Sequence, residues 1–166
     1  ALHVPVIAAI NGLAIGGGTE ILLATDLRIA APHAEISMPQ VRLGIITGWG
    51  GYERLVRDIG FSRAMQVVTT GERFSAEDAY RIGLINKISA DGDVVATAME
   101  FVDAFDQAAP LALSRAKRVI HTAASGTADE AHKLAADTFV DLWFTEDHRE
   151  AEKAFAEKRH PVFKGK

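Results

Sequence analysis

Apolar residues fall in short bursts over the first ninety positions and in longer, helix-spaced sets after that. Val4-Pro5-Val6-Ile7-Ala8-Ala9-Ile10 is a continuous apolar run, the mark of a buried strand, and Asn11-Gly12 behind it is a turn signal. Within 19–26, Ile21, Leu22 and Ala24 are spaced for a short packed helix. Residues 27–31 read as a strand, Pro32-His33-Ala34 as a turn, and Glu35-Ile36-Ser37 alternates as a short strand does. A loop-rich stretch with glycines at 44, 48, 50 and 51 leads to a helix over 52–59. Gly60-Phe61-Ser62 breaks that helix, and Ser62 is expected to cap the next, over 63–70. Ser75 with Asp78 opens a further helix that Gly83 closes, and residues 84–88 follow as a strand. The alternation predicts an α/β fold of short units.

After Asp91-Gly92-Asp93 every pattern is helical, over 94–108, 111–124, 127–143 and 146–159, with Thr127 and Glu130 in capping-box spacing. The chain therefore divides into an α/β core, 1–108, that carries the loops, and a helical region, 109–166. Leu134, Phe139, Leu142, Trp143, Phe144 and Phe155 give the last two helices more apolar surface than a solvated tail needs, which predicts packing on the core or on another subunit.

Composition narrows the field. The 166 residues are 48% hydrophobic, enough for a real core, and the net charge of −4 argues against nucleic acid as partner. No apolar stretch is of membrane length, and no basic flank of a signal peptide precedes the first strand. Cysteine is absent, which excludes disulfides and thiolate nucleophiles and suits an intracellular protein. The six histidines show no ligand spacing, so no metal is assigned. The first strand reads as too buried to lie at a sheet edge, so sequence is expected upstream of residue 1.

Ile15-Gly16-Gly17-Gly18-Thr19-Glu20 is the segment with chemistry in it. It stands between a strand and a helix start, where bare amides can stabilise an oxygen that gains charge during a reaction, and Glu20 is a carboxylate able to move a proton. It does not fit Gly-x-Gly-x-x-Gly, because the sixth position from Gly16 is Ile21, and no Gly-Lys-Ser/Thr follows. Taken alone, the glycines are equally accounted for by tight helix–strand packing.

Larger matches resolve that ambiguity. The segments 5–12, 16–20, 25–30, Met38-Pro39-Gln40-Val41-Arg42-Leu43-Gly44-Ile45, Gly48-Trp49-Gly50-Gly51, 70–76 and 79–86 form an ordered set. In that set the chain resembles the crotonase superfamily, the enoyl-CoA hydratase/isomerase family. The resemblance implies a spiral of ββα units followed by a helical region used for trimer contacts, with two trimers often stacked. It implies an acyl-CoA thioester as substrate, coenzyme A being part of the substrate and no further cofactor needed. The thioester oxygen is held there by two backbone N–H groups, of which Gly17 aligns with one and the other falls before residue 1. Gly16, Gly48 and Trp49 align with substrate-lining positions. Phe155 and Lys158 align with residues that reach the coenzyme A of a neighbouring subunit. A cytoplasmic location is implied, or the mitochondrial matrix in a eukaryote.

The departures matter as much. Hydratases of this kind hold one water between two glutamates; Glu20 aligns with the first, but the second position is Gln40, which can hold a water and cannot take its proton at neutral pH. Two-carboxylate hydration is thereby put in question, leaving one-base enolate chemistry, a crotonase-fold decarboxylase or thioester hydrolase, or a non-catalytic acyl-CoA-binding or assembly subunit. Thr47 and Trp49 replace a proline and a small residue, so Trp49 either narrows the acyl pocket or is simply a packed aromatic. Asp26 reads as a turn or ion-pair residue, not a second acid.

Overall fold

The computed structural model describes residues 2–166, which form two compact units. One is Val6–Glu100; the other comprises the segment ending at Pro5 together with Phe101–Lys166.

The first unit is built on a repeated strand–strand–helix theme. β1 (Ile7–Ile10), β2 (Leu13–Ile15) and α1 (Gly17–Leu23) make one turn of it; β3 (Leu27–Ala30) and β4 (Glu35–Ser37) begin the next. A short 3-10 helix (Pro39–Leu43), α2 (Gly51–Ile59) and α3 (Phe61–Thr70) complete that turn. β5 (Arg73–Ser75), α4 (Ala76–Arg81) and β6 (Lys87–Ile88) follow. Corresponding strands of successive turns stack in parallel: β1 on β3 with Ile7 opposite Leu27, and β2 on β4 with Leu13 opposite Glu35. β6 adds to β3 in parallel, and β5 closes on β4 antiparallel, giving two three-stranded sheets of order β1-β3-β6 and β2-β4-β5. A connection returning each strand to the same sheet in the same direction is what a spiral requires.

Leu23 of α1, Leu55 of α2, Val67 of α3 and Leu84 meet Ile36 and Met38 in a common core, each almost wholly enclosed. Full burial of a leucine contributes about 1.5–3 kcal/mol. One charged tie crosses the same interior. Arg28 on β3, buried, donates to the Leu84 carbonyl at 2.7 Å, to the Thr25 carbonyl at 3.2 Å and to Asp58 of α2 at 2.9 Å. Burial pulls its guanidinium below the ordinary arginine pKa, and Asp58 works against that. Asp26 is structural, as expected: its Oδ2 accepts the Val6 N–H at 2.7 Å, and its own N–H donates to the Val6 carbonyl.

Several elements differ from the reading of the pattern. The first strand, Ile7–Ile10, is shorter than its apolar run. β2 and β5 were not anticipated; three residues are too few to show a period. The last strand is cut to Lys87–Ile88, because the Leu84 and Ile85 N–H groups donate to the Ala79 carbonyl and finish α4. Ser62 caps nothing. α3 begins at Phe61, with Gly60 at φ 78° serving as the last residue of one helix cap and the first of the next. Ser75 does cap α4, accepting from the Asp78 N–H at 3.1 Å.

α5 (Val94–Asp106) leads into the second unit, which holds α6 (Pro110–Ser125), α7 (Ala128–Trp143) and α8 (Glu146–Glu157). The capping box of Thr127 and Glu130 is formed in full, and Arg115 of α6 pairs with Asp141 of α7 at 2.6 Å. α6 and α7 contain no buried residue, while Phe139, Val140, Trp143 and Phe144 are all about half exposed or more. Buried Asp147 at the start of α8 draws the final segment back, accepting from the N–H groups of Lys164 at 2.7 Å and Gly165 at 2.8 Å. Glu150 adds Arg159 and the Val162 N–H, which hold its carboxyl down to about 2. Among the described residues, no helix is long and apolar enough to cross a membrane, and no group of His, Asp and Glu is placed to hold a metal ion.

Candidate active site

Gly16 is where β2 turns into α1, and its φ of 57° with ψ of −116° is a backbone that only glycine adopts without strain. Its N–H donates to the Ser37 carbonyl at 2.9 Å, and its carbonyl accepts the Glu20 N–H at 3.1 Å as the first bond of α1. The N–H groups of Gly17, Gly18 and Thr19, in that first turn, have no hydrogen-bond partner among the described residues. Thr19 fixes the turn from below: its buried hydroxyl reaches the carbonyls of Ala14 and Ser37, at 3.0 and 2.9 Å. The helix start is therefore bolted to one strand from each turn of the spiral.

Glu20 lies one residue beyond these amides and is buried. Its Oε2 accepts the Trp49 backbone N–H at 2.7 Å, and its Oε1 has no hydrogen bond among the described residues. A β-carbon placed on Gly51 would come within 2.9 Å of the Glu20 Cγ, so the N-terminus of α2 can approach this carboxylate only as glycine.

Gln40 enters from the 3-10 helix. Pro39 starts that helix, Gly44 ends it at φ 72°, and Gln40 is only 7% exposed. Its Nε2 lies 3.8 Å from where a β-carbon on Gly16 would be, and its Oε1 is buried with no hydrogen-bond partner among the described residues. An orphaned buried acceptor costs about 1–3 kcal/mol, which a donor brought by a ligand or water would recover.

Trp49 closes the cluster. Its ring carbon Cζ3 would be 2.7 Å from a β-carbon on Gly17, so the indole rests directly on that glycine. Gly48 beside it is exposed, with nothing within 4 Å of the position of a β-carbon. The structure thus brings Gly16, Gly17, Glu20, Gln40 and Trp49 together. Phe155 belongs to α8 in the other unit and is 88% exposed; Lys158 follows that helix as its cap, in the left-handed region at φ 53°.

Reading the sequence missed Gly51, Arg54 and Tyr52 here. Arg54 donates to the Trp49 carbonyl at 2.7 Å and to that of Gly50 at 3.0 Å, and the Tyr52 hydroxyl accepts from the Thr47 N–H at 3.4 Å. The signal available was the Gly50-Gly51 pair at a helix start with an arginine one turn on.

The strand-to-helix turn at Gly16 and the buried Glu20 carboxylate are set on a ββα spiral. The whole chain, residues 1–166, matches the family model for enoyl-CoA hydratase/isomerase, and the chain belongs to that family. It is 39% identical to a short-chain-enoyl-CoA hydratase of Clostridium acetobutylicum over 95% of this chain and 60% of that protein. It is 35% identical to a carnitinyl-CoA dehydratase of Escherichia coli, over 99% of this chain and 65% of that one. The solved enoyl-CoA hydratase of Bacillus anthracis superposes with a TM-score of 0.96 at 38% identity, covering 99% of this chain and 64% of its own. The chain thus spans about 60% of the length of the curated relatives it matches.

Proposed function

We propose that the protein is an acyl-CoA enzyme of the enoyl-CoA hydratase/isomerase type that passes through a thioester enolate with one proton-transfer carboxylate. The observation that carries this reading is the proximity in the chain of the Gly17 N–H and Glu20: among the described residues the amide and the Glu20 Oε1 have no hydrogen-bond partner, while Oε2 accepts from the Trp49 N–H. Gly17 supplies one oxyanion donor, a kind of contact worth about 10²–10³ in rate. Glu20 moves the proton at the acyl chain, typically worth about 10²–10⁴. Gln40 orients water or substrate: its orphaned Oε1 can accept an O–H, while its amide cannot take the proton away.

Coenzyme A enters as part of the substrate, with no separate cofactor. Phe155 and Lys158 are assigned to the coenzyme A of a neighbouring copy in a homotrimer or dimer of trimers, in keeping with the exposure of Phe155 and of the α7 aromatic face. A cytoplasmic or matrix setting, with a role in fatty acid metabolism, suits such chemistry.

A second reading, a non-catalytic acyl-CoA-binding or assembly subunit, is favoured by one observation, the neutral residue at position 40. Turnover of crotonyl-CoA and of 3-hydroxyacyl and malonyl-type thioesters by the full-length protein separates the two, and the product formed separates hydration from decarboxylation or hydrolysis. Glu20→Gln is expected to lower kcat by about 10²–10⁴ with thioester binding within about threefold of wild type. Wild-type turnover in that variant would remove Glu20 from the mechanism.

A further inference from the structure

Three contacts meet in Trp49. Its N–H is held by Glu20 Oε2 at 2.7 Å, its carbonyl by Arg54 Nη1 at 2.7 Å, and its benzo carbons Cζ3, Cη2 and Cε3 would stand 2.7, 3.1 and 3.5 Å from a β-carbon on Gly17. The backbone is held on both sides, and the ring lies over Gly17. It is also not a core aromatic. The residue is 66% exposed and its indole N–H makes no hydrogen bond among the described residues, whereas a tryptophan present for packing is enclosed and finds a partner. A group bound by the Gly17 amide and reached by Glu20 must lie beside this ring.

We infer that Trp49 is the specificity-determining residue of the site, a wall beside Gly17 that admits thioesters with short acyl groups and turns away long ones. This rests on the acyl-CoA reading above and adds the substrate class to it. Arg54 is a positioning residue that keeps the wall in place through the Trp49 and Gly50 carbonyls. A single methylene that a pocket cannot house changes kcat/KM by about 10–200-fold, so a misplaced chain end is enough to set the preference.

The test is kcat/KM for crotonyl-, hexenoyl- and decenoyl-CoA with the full-length wild type, Trp49→Ala and Trp49→Phe. Wild type is expected to favour crotonyl- over decenoyl-CoA by more than about tenfold, Trp49→Ala to bring the two within about threefold, and Trp49→Phe to keep most of the preference. A wild-type preference that Trp49→Ala leaves unchanged, or no preference in wild type, overturns the inference while leaving the acyl-CoA reading intact. If wild type turns over no thioester, the catalytic reading fails instead. Calorimetric Kd values for butyryl- and decanoyl-CoA then decide the wall: a short-chain preference lost in Trp49→Ala supports it, and equal affinities in wild type overturn it.

Discussion

In the unit of β-strands each of α1 to α4 turns at least one side chain into an enclosed interior, whereas α6 and α7 of the helical unit bury none. The two regions have similar apolar content and use it differently. In the first, Leu23, Ile29, Ile36 and Leu55 are removed from water by the chain itself. In the second, Phe139, Val140, Trp143 and Phe144 remain at the surface, and order comes from polar fittings: a capping box, the Arg115–Asp141 pair and the Asp147 clasp on the final segment. Gly16, Gly17 and the Glu20 carboxylate sit in the unit that has the enclosed core.

The contrast can be broken most forcefully at Asp58. Removing this partner as Asp58→Ala strands Arg28 in the interior, and the expected loss is about 3–5 kcal/mol of unfolding free energy, measured by urea denaturation. Leu55→Ala tests the apolar half of the same unit and is expected to cost about 2–5 kcal/mol. In the helical unit, Phe139→Ser combined with Phe144→Ser is expected to change unfolding of the single chain by less than about 1 kcal/mol. On the proposed trimer, the same pair is expected to lower the mass seen by light scattering towards that of a single chain; an oligomer of unchanged mass would place the proposed subunit contact elsewhere.

The smallest effect concerns acid. Hydrogen bonds from Arg159, then the Val162 N–H, lower the Glu150 carboxyl from 4.5 to about 2, so its contribution is complete above about pH 4.5 and is lost as pH falls towards 2. The protection factor of the Val162 amide, its exchange rate relative to the unstructured rate at the same pH, should fall across that window, with Glu150→Gln showing the lowered protection at neutral pH.

The long helices were legible because ten or more residues repeat an apolar period several times, and their ends carry named caps such as Thr127 with Glu130. β2 and β5 were not, since a three-residue strand is defined by its neighbours in the sheet and not by its own pattern. The same divide runs through the site. Gly16, Gly17 and Glu20 lie within five residues and could be read as a strand-to-helix amide cradle, while Gln40 and Trp49 carried meaning only through resemblance. That Trp49 would rest on Gly17, and Gly51 on Glu20, depends on a loop returning about thirty residues later, which no local pattern records.

Glu20 has a double duty in the hydrogen bond it accepts from Trp49. The group offered as the hydrogen carrier is also the post to which the following loop is moored. Truncating it to alanine casts off the loop together with the acid, and the damage reaches the shape of the cavity as well as its chemistry. Glutamine keeps an oxygen for the mooring and gives up only the ionisable function. The two replacements, set side by side, divide what one carboxylate does for architecture from what it does for reactivity.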